Sequence, residues 1–174
     1  MCNGEQYSLK AVAANEASVA IAFIDEAKAF LRSMGVDQWQ NGYPSADTIK
    51  ADIAKGNGYF LMAGERPLAY MCIDFDGEPA YDGLDGHWLS DARAYGVLHR
   101  LAMGDSSRGK GAATIAIQLA GDLMKRRRME SFRIDTDENN EVMKHLLTKN
   151  GFTYCCLLYT STPLRADQRR GIGS

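Results

Sequence analysis

The chain has 174 residues, of which 45% are hydrophobic, 24% charged and 9% aromatic. That is enough apolar material for one domain with a sizeable core, and it excludes a disordered or collagen-like chain. Lys and Arg number 20 against 22 Asp and Glu, a formal charge of -2, so no global basic field is present to hold a nucleic acid.

Residues 7–12 alternate as a first strand. Asn15 is placed to cap a helix whose apolar positions Val19, Ala22, Phe23, Ala27, Phe30 and Leu31 recur at helical spacing, and Gly35 ends it. Gln38-Trp39-Gln40-Asn41-Gly42-Tyr43-Pro44 reads as a loop carrying two large aromatics, after which Ser45 and Asp47 open a second helix reaching about Lys55. Strands at 59–63 and 68–74, joined by Gly64-Glu65-Arg66-Pro67, form an antiparallel hairpin. An acidic, Gly-rich connection over 76–91 carries Tyr81, His87 and Trp88, and loops of that length in a compact domain are more often functional than idle.

A strand at 94–103, a helix at 111–127 with Ile115, Leu119 and Leu123 on one face, and a strand at 132–136 then give a β-α-β pattern. Asn140 begins a helix with Val142, Met143, Leu146 and Leu147, stopped at Asn150-Gly151. Residues 152–159 follow as a strand that turns at Thr162-Pro163 into a last short one. The expected fold is a single α/β domain over residues 1–174, with a mixed central sheet flanked by helices around the β-α-β unit.

The longest apolar run on a helical reading, 19–24, falls far short of the roughly 20 residues that cross a bilayer. The first residues lack the charged and apolar regions of a signal peptide, so the expectation is a cytoplasmic chain with no membrane partner. Cys2, Cys72, Cys155 and Cys156 form no C-x-x-C pair, and His87, His99 and His145 lie far apart, so neither a metal site nor a disulfide framework is expected.

Gly104-Asp105-Ser106-Ser107-Arg108-Gly109-Lys110-Gly111-Ala112-Ala113 lies between an apolar strand and an Ala-rich helix, where free backbone N–H groups and the helix dipole favour an anion. It is not a P-loop, because Gly111 stands where the magnesium-binding hydroxyl belongs. It is not a dinucleotide loop either, because Thr114 replaces the third glycine. Arg108-x-x-Gly111-x-Ala113 instead resembles the pyrophosphate loop of the GNAT superfamily of acyl-CoA-dependent N-acyltransferases. Other marks fall in the same order: the strand Leu98-His99-Arg100-Leu101-Ala102-Met103 directly before the loop, and Asn139-Asn140-Glu141-Val142-Met143 through Lys149-Asn150-Gly151-Phe152 after the next strand. Gln38-Trp39-Gln40-x-Gly42-Tyr43-Pro44 and Arg133-Ile134-Asp135-Thr136 are similar to a group of small bacterial-type members.

The resemblance implies acetyl transfer from acetyl-CoA to a primary amine, by direct attack in a ternary complex. Backbone groups of Leu101, Ala102 and Met103 would line the pantetheine arm, and Arg108, Gly109, Lys110, Gly111, Ala112 and Ala113 would cradle the pyrophosphate. Asn140 would contact the pantetheine from the other side.

An alkyl amine with a pKa near 10.4 must lose a proton at neutral pH. His99, on the strand before the loop and on the side of Leu101 by strand alternation, is the candidate base, the other reading being a core histidine held by a hydrogen bond. Many relatives carry an acidic tyrosine where this chain has Leu147, which leaves Tyr154 or Tyr159 as substitutes, Tyr154 ranking first, or departure of the thiolate without a dedicated acid. For the acceptor, Trp39, Tyr43, Tyr81 and Trp88 are candidate walls and Asp74 or Asp135 a candidate countercharge, the alternative being that the tryptophans anchor their loops.

The expected acceptor is a small-molecule amine. The rival readings are a protein or peptide N-acetyltransferase and a CoA-binding sensor without turnover. Edge pairing of the final strands leaves a homodimer open. The basic run Lys125-Arg126-Arg127-Arg128 reads as cations at a helix C-terminus.

Overall fold

The computed structural model describes residues 4–76, 94–155 and 158–161. In chain order it contains β1 (Tyr7–Ala11), a 3-10 turn (Ala14–Glu16), α1 (Ala17–Ser33), α2 (Ala46–Ala54), β2 (Gly58–Ala63), β3 (Arg66–Asp74), β4 (Tyr95–Met103), α3 (Ala112–Arg126), β5 (Ser131–Asp135), α4 (Glu141–Lys149), β6 (Thr153–Cys155) and β7 (Leu158–Ser161). The strands form one mixed sheet in the order β1-β2-β3-β4-β5-β7-β6. The fold is the expected α/β domain. Two compact units compose it, Met1–Ile73 with Arg100–Leu119 and Asp74–His99 with Ala120–Ser174, so β4 and α3 each run through both.

In the first unit β1, β2 and β3 pair antiparallel, with a bulge in β2 between Leu61 and Met62. The hairpin turn is tighter than expected, because Ala63 already faces Arg66 and Gly64, at φ 58°, takes the left-handed corner. Asn15 does not cap α1. It lies inside the 3-10 turn, and the Glu16 side chain instead accepts from the Ala13 N–H at 3.1 Å and from Lys10 at 2.9 Å.

The buried stripe of α1 is Ala17, Ala20, Ile24, Ala27 and Leu31, whereas Val19 is exposed. Small side chains let this helix lie close, and with Ile49, Ile53, Phe60, Met62, Tyr70 and Ala102 they form the core of the unit. Phe23 meets Phe60 edge-on at 6.1 Å. As expected, Ser45 caps α2, its hydroxyl accepting from the Thr48 N–H at 3.2 Å.

In the second unit β4 and β5 run parallel, paired from Tyr95↔Ser131 to Leu98↔Ile134. The crossover is α3, and it packs so closely that a Cβ at Gly96 would stand 2.5 Å from the Met124 sulfur. Its buried positions are Ala112, Ala116, Ile117, Ala120 and Met124, beside the half-buried Ile115, Leu119 and Leu123. Phe132 and Phe152 meet edge-on at 5.0 Å. After α4 the chain departs from expectation: it reverses between Cys155 and Leu158, so that β7 pairs antiparallel with both β5 and β6. The reversal lets β7 complete the edge of β5, which a single long strand over 152–159 cannot do in that register. Among the described residues no helix is long and apolar enough to cross a membrane.

Candidate active site

The first part of the loop between β4 and α3 is held to the fold by its amides and side chains. Gly104 donates its N–H to the Leu68 carbonyl at 2.9 Å, and Ser107 returns its hydroxyl to the same carbonyl at 2.9 Å. The Asp105 N–H is held by Glu26 at 2.7 Å. Arg108 folds back rather than reaching out: Nη2 donates to the Met103 carbonyl at 2.8 Å, Nη1 pairs with Asp105, and the guanidinium lies 4.1 Å over the Phe30 ring. Lys110 Nζ likewise donates to the Ser106 carbonyl at 2.7 Å.

With the cationic side chains so engaged, the anion-binding capacity of the loop resides in its backbone. Gly109 and Gly111 stand at φ 76° and 80°, and a Cβ at either would meet nothing within 4 Å, so the space beside them is open. Among the described residues the N–H groups of Gly109, Gly111, Ala112 and Ala113 have no acceptor. Successive amides without acceptors at the start of a 15-residue helix suit a phosphate group. The chemistry of the loop therefore fits the diphosphate of a CoA thioester.

Along β4, Arg100 is in the left-handed region at φ 53°. Its guanidinium is bound on three sides within the first unit: Nε to Asp52 Oδ2 at 2.8 Å, Nη2 to Asp52 Oδ1 at 2.5 Å, and Nη1 to the Tyr43 hydroxyl at 2.7 Å. Tyr70 adds a hydrogen bond to Asp52 Oδ2 at 2.9 Å. Burial works against charge on Arg100, but the hydrogen bonds and attraction of Asp52 outweigh it and raise the guanidinium above its ordinary pKa. Burial, and then the Asp52 charge, push the Tyr70 phenol up in the same way.

The loop over 37–45 is tied down as well. Lys28 Nζ donates to the Pro44 carbonyl at 2.6 Å, Arg32 Nε to Gln40 Oε1 at 3.0 Å, and Gln40 Nε2 to the Lys28 carbonyl at 3.0 Å. Trp39 is half-buried and packs against the core, whereas Tyr43 is half exposed.

In the second unit the β4–β5 ladder stops at Leu98↔Ile134, and directly beyond it His99 Nδ1 lies 3.8 Å from Asp135 Oδ1. The left-handed backbone at Arg100 interrupts strand alternation, so the side of Leu101 does not follow from that of His99. Asn140 is buried and caps α4, its Oδ1 accepting from the Met143 N–H at 3.1 Å. Leu147 is fully buried, as an apolar residue at that place allows. Ala102 is a core residue, and Leu101 and Met103 are half-buried. Tyr154 belongs to β6 opposite Tyr159, its side chain outside the described residues. Tyr81 and Trp88 also lie outside the described residues.

Sequence reasoning missed the Asp52–Arg100–Tyr43–Tyr70 network. One signal was present: Asp52 falls beside Ile53 and three residues after Ile49, on the buried face of α2, where a carboxylate needs a partner. Among the described residues no cluster of three or more His, Cys, Asp and Glu is arranged to hold a metal ion.

None of the curated proteins matches the chain. A GNAT-family acetyltransferase of Streptococcus agalactiae 2603 is 30% identical, with a TM-score of 0.83 over 91% of this chain and 96% of the other. An acetyltransferase of Staphylococcus aureus Mu50 is 24% identical, with a TM-score of 0.70 over 90% and 99%. The fold is shared by the aminoglycoside acetyltransferase AAC(6')-Ib in complex with coenzyme A, 14% identical, with a TM-score of 0.66 over 97% and 100%. Residues 18–152 match the family model for the acetyltransferase (GNAT) family, and the chain belongs to that family of acetyltransferases.

Proposed function

We propose that this acetyltransferase moves the acetyl group of acetyl-CoA to the primary amine of a small molecule, by direct attack with both substrates bound. The observation that carries the reading is the run of amides at Gly109, Gly111, Ala112 and Ala113 that have no acceptor among the described residues. They suit a diphosphate through N–H donors, while Arg108 and Lys110 keep the loop in shape. The reading covers the whole chain as one acetyltransferase domain, working in the cytoplasm. Coenzyme A supplies an activated acetyl thioester.

The residues of the chain then have separate tasks. Backbone groups of Leu101, Ala102 and Met103, with Asn140, orient the pantetheine arm, and His99 takes the proton that frees the amine. An alkylammonium carries three N–H protons: one goes to His99, one stays on the amide, and one ends on the sulfur as the C–N bond forms and the C–S bond breaks. Tyr154 is the candidate donor of the sulfur proton. Tyr43 and Trp39, with Tyr81 and Trp88, border the acceptor. A parallel for a small acceptor is AAC(6')-Ib bound to coenzyme A and kanamycin, which shares the fold at 14% identity.

The buried Leu147, at the place of the usual acid, favours one second reading, a CoA-binding sensor without turnover. Thiol release from acetyl-CoA across a panel of amines, amino acids and short peptides, beside calorimetric CoA binding, tests both. Release that depends on a small amine supports the proposal, and release only with peptides moves the acceptor to a polypeptide. Binding without release supports the sensor, and no binding overturns the reading of the loop.

A further inference from the structure

The register of β4 and β5 makes His99 and Asp135 the first side-by-side positions beyond the last ladder pair, Leu98↔Ile134. Their side chains share a face, since Nδ1 of the imidazole lies 3.8 Å from Oδ1 of the carboxylate. The two differ sharply in exposure: 13% for the His99 side chain and 50% for that of Asp135. A nearly buried imidazole needs partners that fix its ring and its tautomer. Arg133, two residues earlier on the same strand face, is directed elsewhere, its guanidinium lying 3.8 Å over the Tyr95 ring.

We infer that Asp135 is the positioning residue of the His99 base: its carboxylate holds the Nδ1–H tautomer and thereby commits the imidazole lone pair to Nε2. This rests on the acetyl-transfer reading above and changes the part played by Asp135 in it, from countercharge for the acceptor to partner of the base. At 3.8 Å the pair is beyond direct hydrogen-bond range, and a small side-chain rotation closes the gap. When Nε2 takes a proton from the acceptor ammonium, the ring becomes cationic and its attraction to Asp135 grows. The pair is thus stronger at the point of reaction than before it. Asp135 itself neither gains nor loses a proton in the step.

Three measurements on the full chain test this. The first is the ¹⁵N spectrum of the His99 ring at a pH where the ring is neutral. Protonated Nδ1 in the wild type, shifting toward protonated Nε2 in Asp135→Ala and restored in Asp135→Glu, is the expected signature. A tautomer indifferent to residue 135 overturns the inference.

The second splits kcat from KM for the amine. Asp135→Ala is expected to lower kcat by about 10-fold or more, part of the ~10²–10⁴ that a positioned base supplies, with KM and CoA affinity held. A rise in KM at constant kcat returns Asp135 to direct acceptor binding and overturns the inference.

The third is a double-mutant cycle. In a His99→Ala background Asp135→Ala should cost nothing further, whereas additive losses overturn the positioning role. A wild type that turns over no amine defeats the functional reading alone, because the ring tautomer reports on the His99–Asp135 pair without turnover.

Discussion

Arg100 grips both carboxylate oxygens of Asp52, with Nε and Nη2 at 2.8 and 2.5 Å, and the two side chains are only 12% and 9% exposed. The pair joins residues 48 positions apart, tying α2 to β4 at the one residue of that strand with a left-handed backbone. Through the Tyr43 hydroxyl it also reaches the aromatic loop, and through Tyr70 it reaches β3. A planar fork with five donors suits this task where a lysine, a point charge, does not.

Removing one member leaves the other charge buried, so Asp52→Ala is expected to lower unfolding free energy by about 3–5 kcal/mol in urea titration. The double variant Asp52→Leu with Arg100→Met is expected to recover a large part of that loss, because the cost lies in the orphaned charge. Tyr43→Phe, which removes one half-exposed hydroxyl, is expected to cost about 1 kcal/mol or less and to raise KM for the amine while CoA affinity holds. A double variant no more stable than the single one contradicts this account.

Glycines of the loop separate two physical causes. A Cβ at Gly104 would stand 2.7 Å from the Phe23 ring and 3.1 Å from the Leu68 carbonyl, and the carbonyl belongs to backbone that cannot swing aside. Gly104→Ala should therefore destabilise the fold by about 1–3 kcal/mol. Gly111→Ala meets no atom, but at φ 80° it strains the backbone by roughly 1–2 kcal/mol. Its larger effect should be on CoA affinity, since rotating this peptide re-aims the amides around it. Thermal unfolding and calorimetry on both variants check the contrast: the first chiefly loses Tm, the second chiefly loses binding.

Arg108 and Lys110 supply a further distinction. Arg108 holds the Met103 carbonyl, Asp105 and the Phe30 ring at once, whereas Lys110 makes a single exposed bond to Ser106. Arg108→Ala is expected to weaken CoA by about 10-fold or more through loss of loop order, and Lys110→Ala by a few-fold through loss of charge near the diphosphate. Because the guanidinium acts by planar stacking and hydrogen bonding, Arg108→Lys should rescue little. Equal losses for the two alanine variants in calorimetry, or full rescue by lysine, count against the bracing role.

What the sequence revealed and what it hid follow from the range of the interactions. The β4–loop–α3 unit was legible because its signal is local: an apolar strand, glycines and an Ala-rich helix within about 30 residues. The buried face of α1 was misjudged at Val19 because alanines at 17, 20 and 27 carry the close packing, and alanine is a weak marker of burial in a periodicity count. The Arg100–Asp52 pair was hidden because an arginine in a strand gives no sign of its side chain turning inward, and its partner is on a helix 48 residues earlier. The β6–β7 reversal was missed because an unbroken apolar stretch, 155–158, hides the turn. His99 was singled out by its residue type and its place on the strand before the loop, and Asp135 as its neighbour emerged only from the parallel register.

The Tyr70 phenol gives the fold an alkaline signature. Fully buried and bonded to Asp52 Oδ2 at 2.9 Å, it is held neutral in the folded chain well above its ordinary pKa of 10.0, by burial first and then by the Asp52 charge. In the unfolded chain the same phenol ionises near pH 10. A group whose folded pKa is raised contributes stability in full below its unfolded pKa and loses it as pH rises. Above about pH 10 the unfolded state binds fewer protons, so stability falls by up to about 1.4 kcal/mol per pH unit from this residue. Tyr70→Phe should lose about 1–2 kcal/mol at pH 7 with the Asp52 bond, and then show a shallower decline above pH 10 than the wild type. Urea titrations at pH 7 to 11 read the difference. Ultraviolet titration adds a direct check: Tyr70, one of eight tyrosines, should ionise only as the chain unfolds, so the phenolate absorbance that coincides with unfolding should fall by one tyrosine's worth once Tyr70 is replaced. Parallel alkaline declines in the two proteins would place the Tyr70 hydroxyl in contact with water and remove it from the Asp52 network.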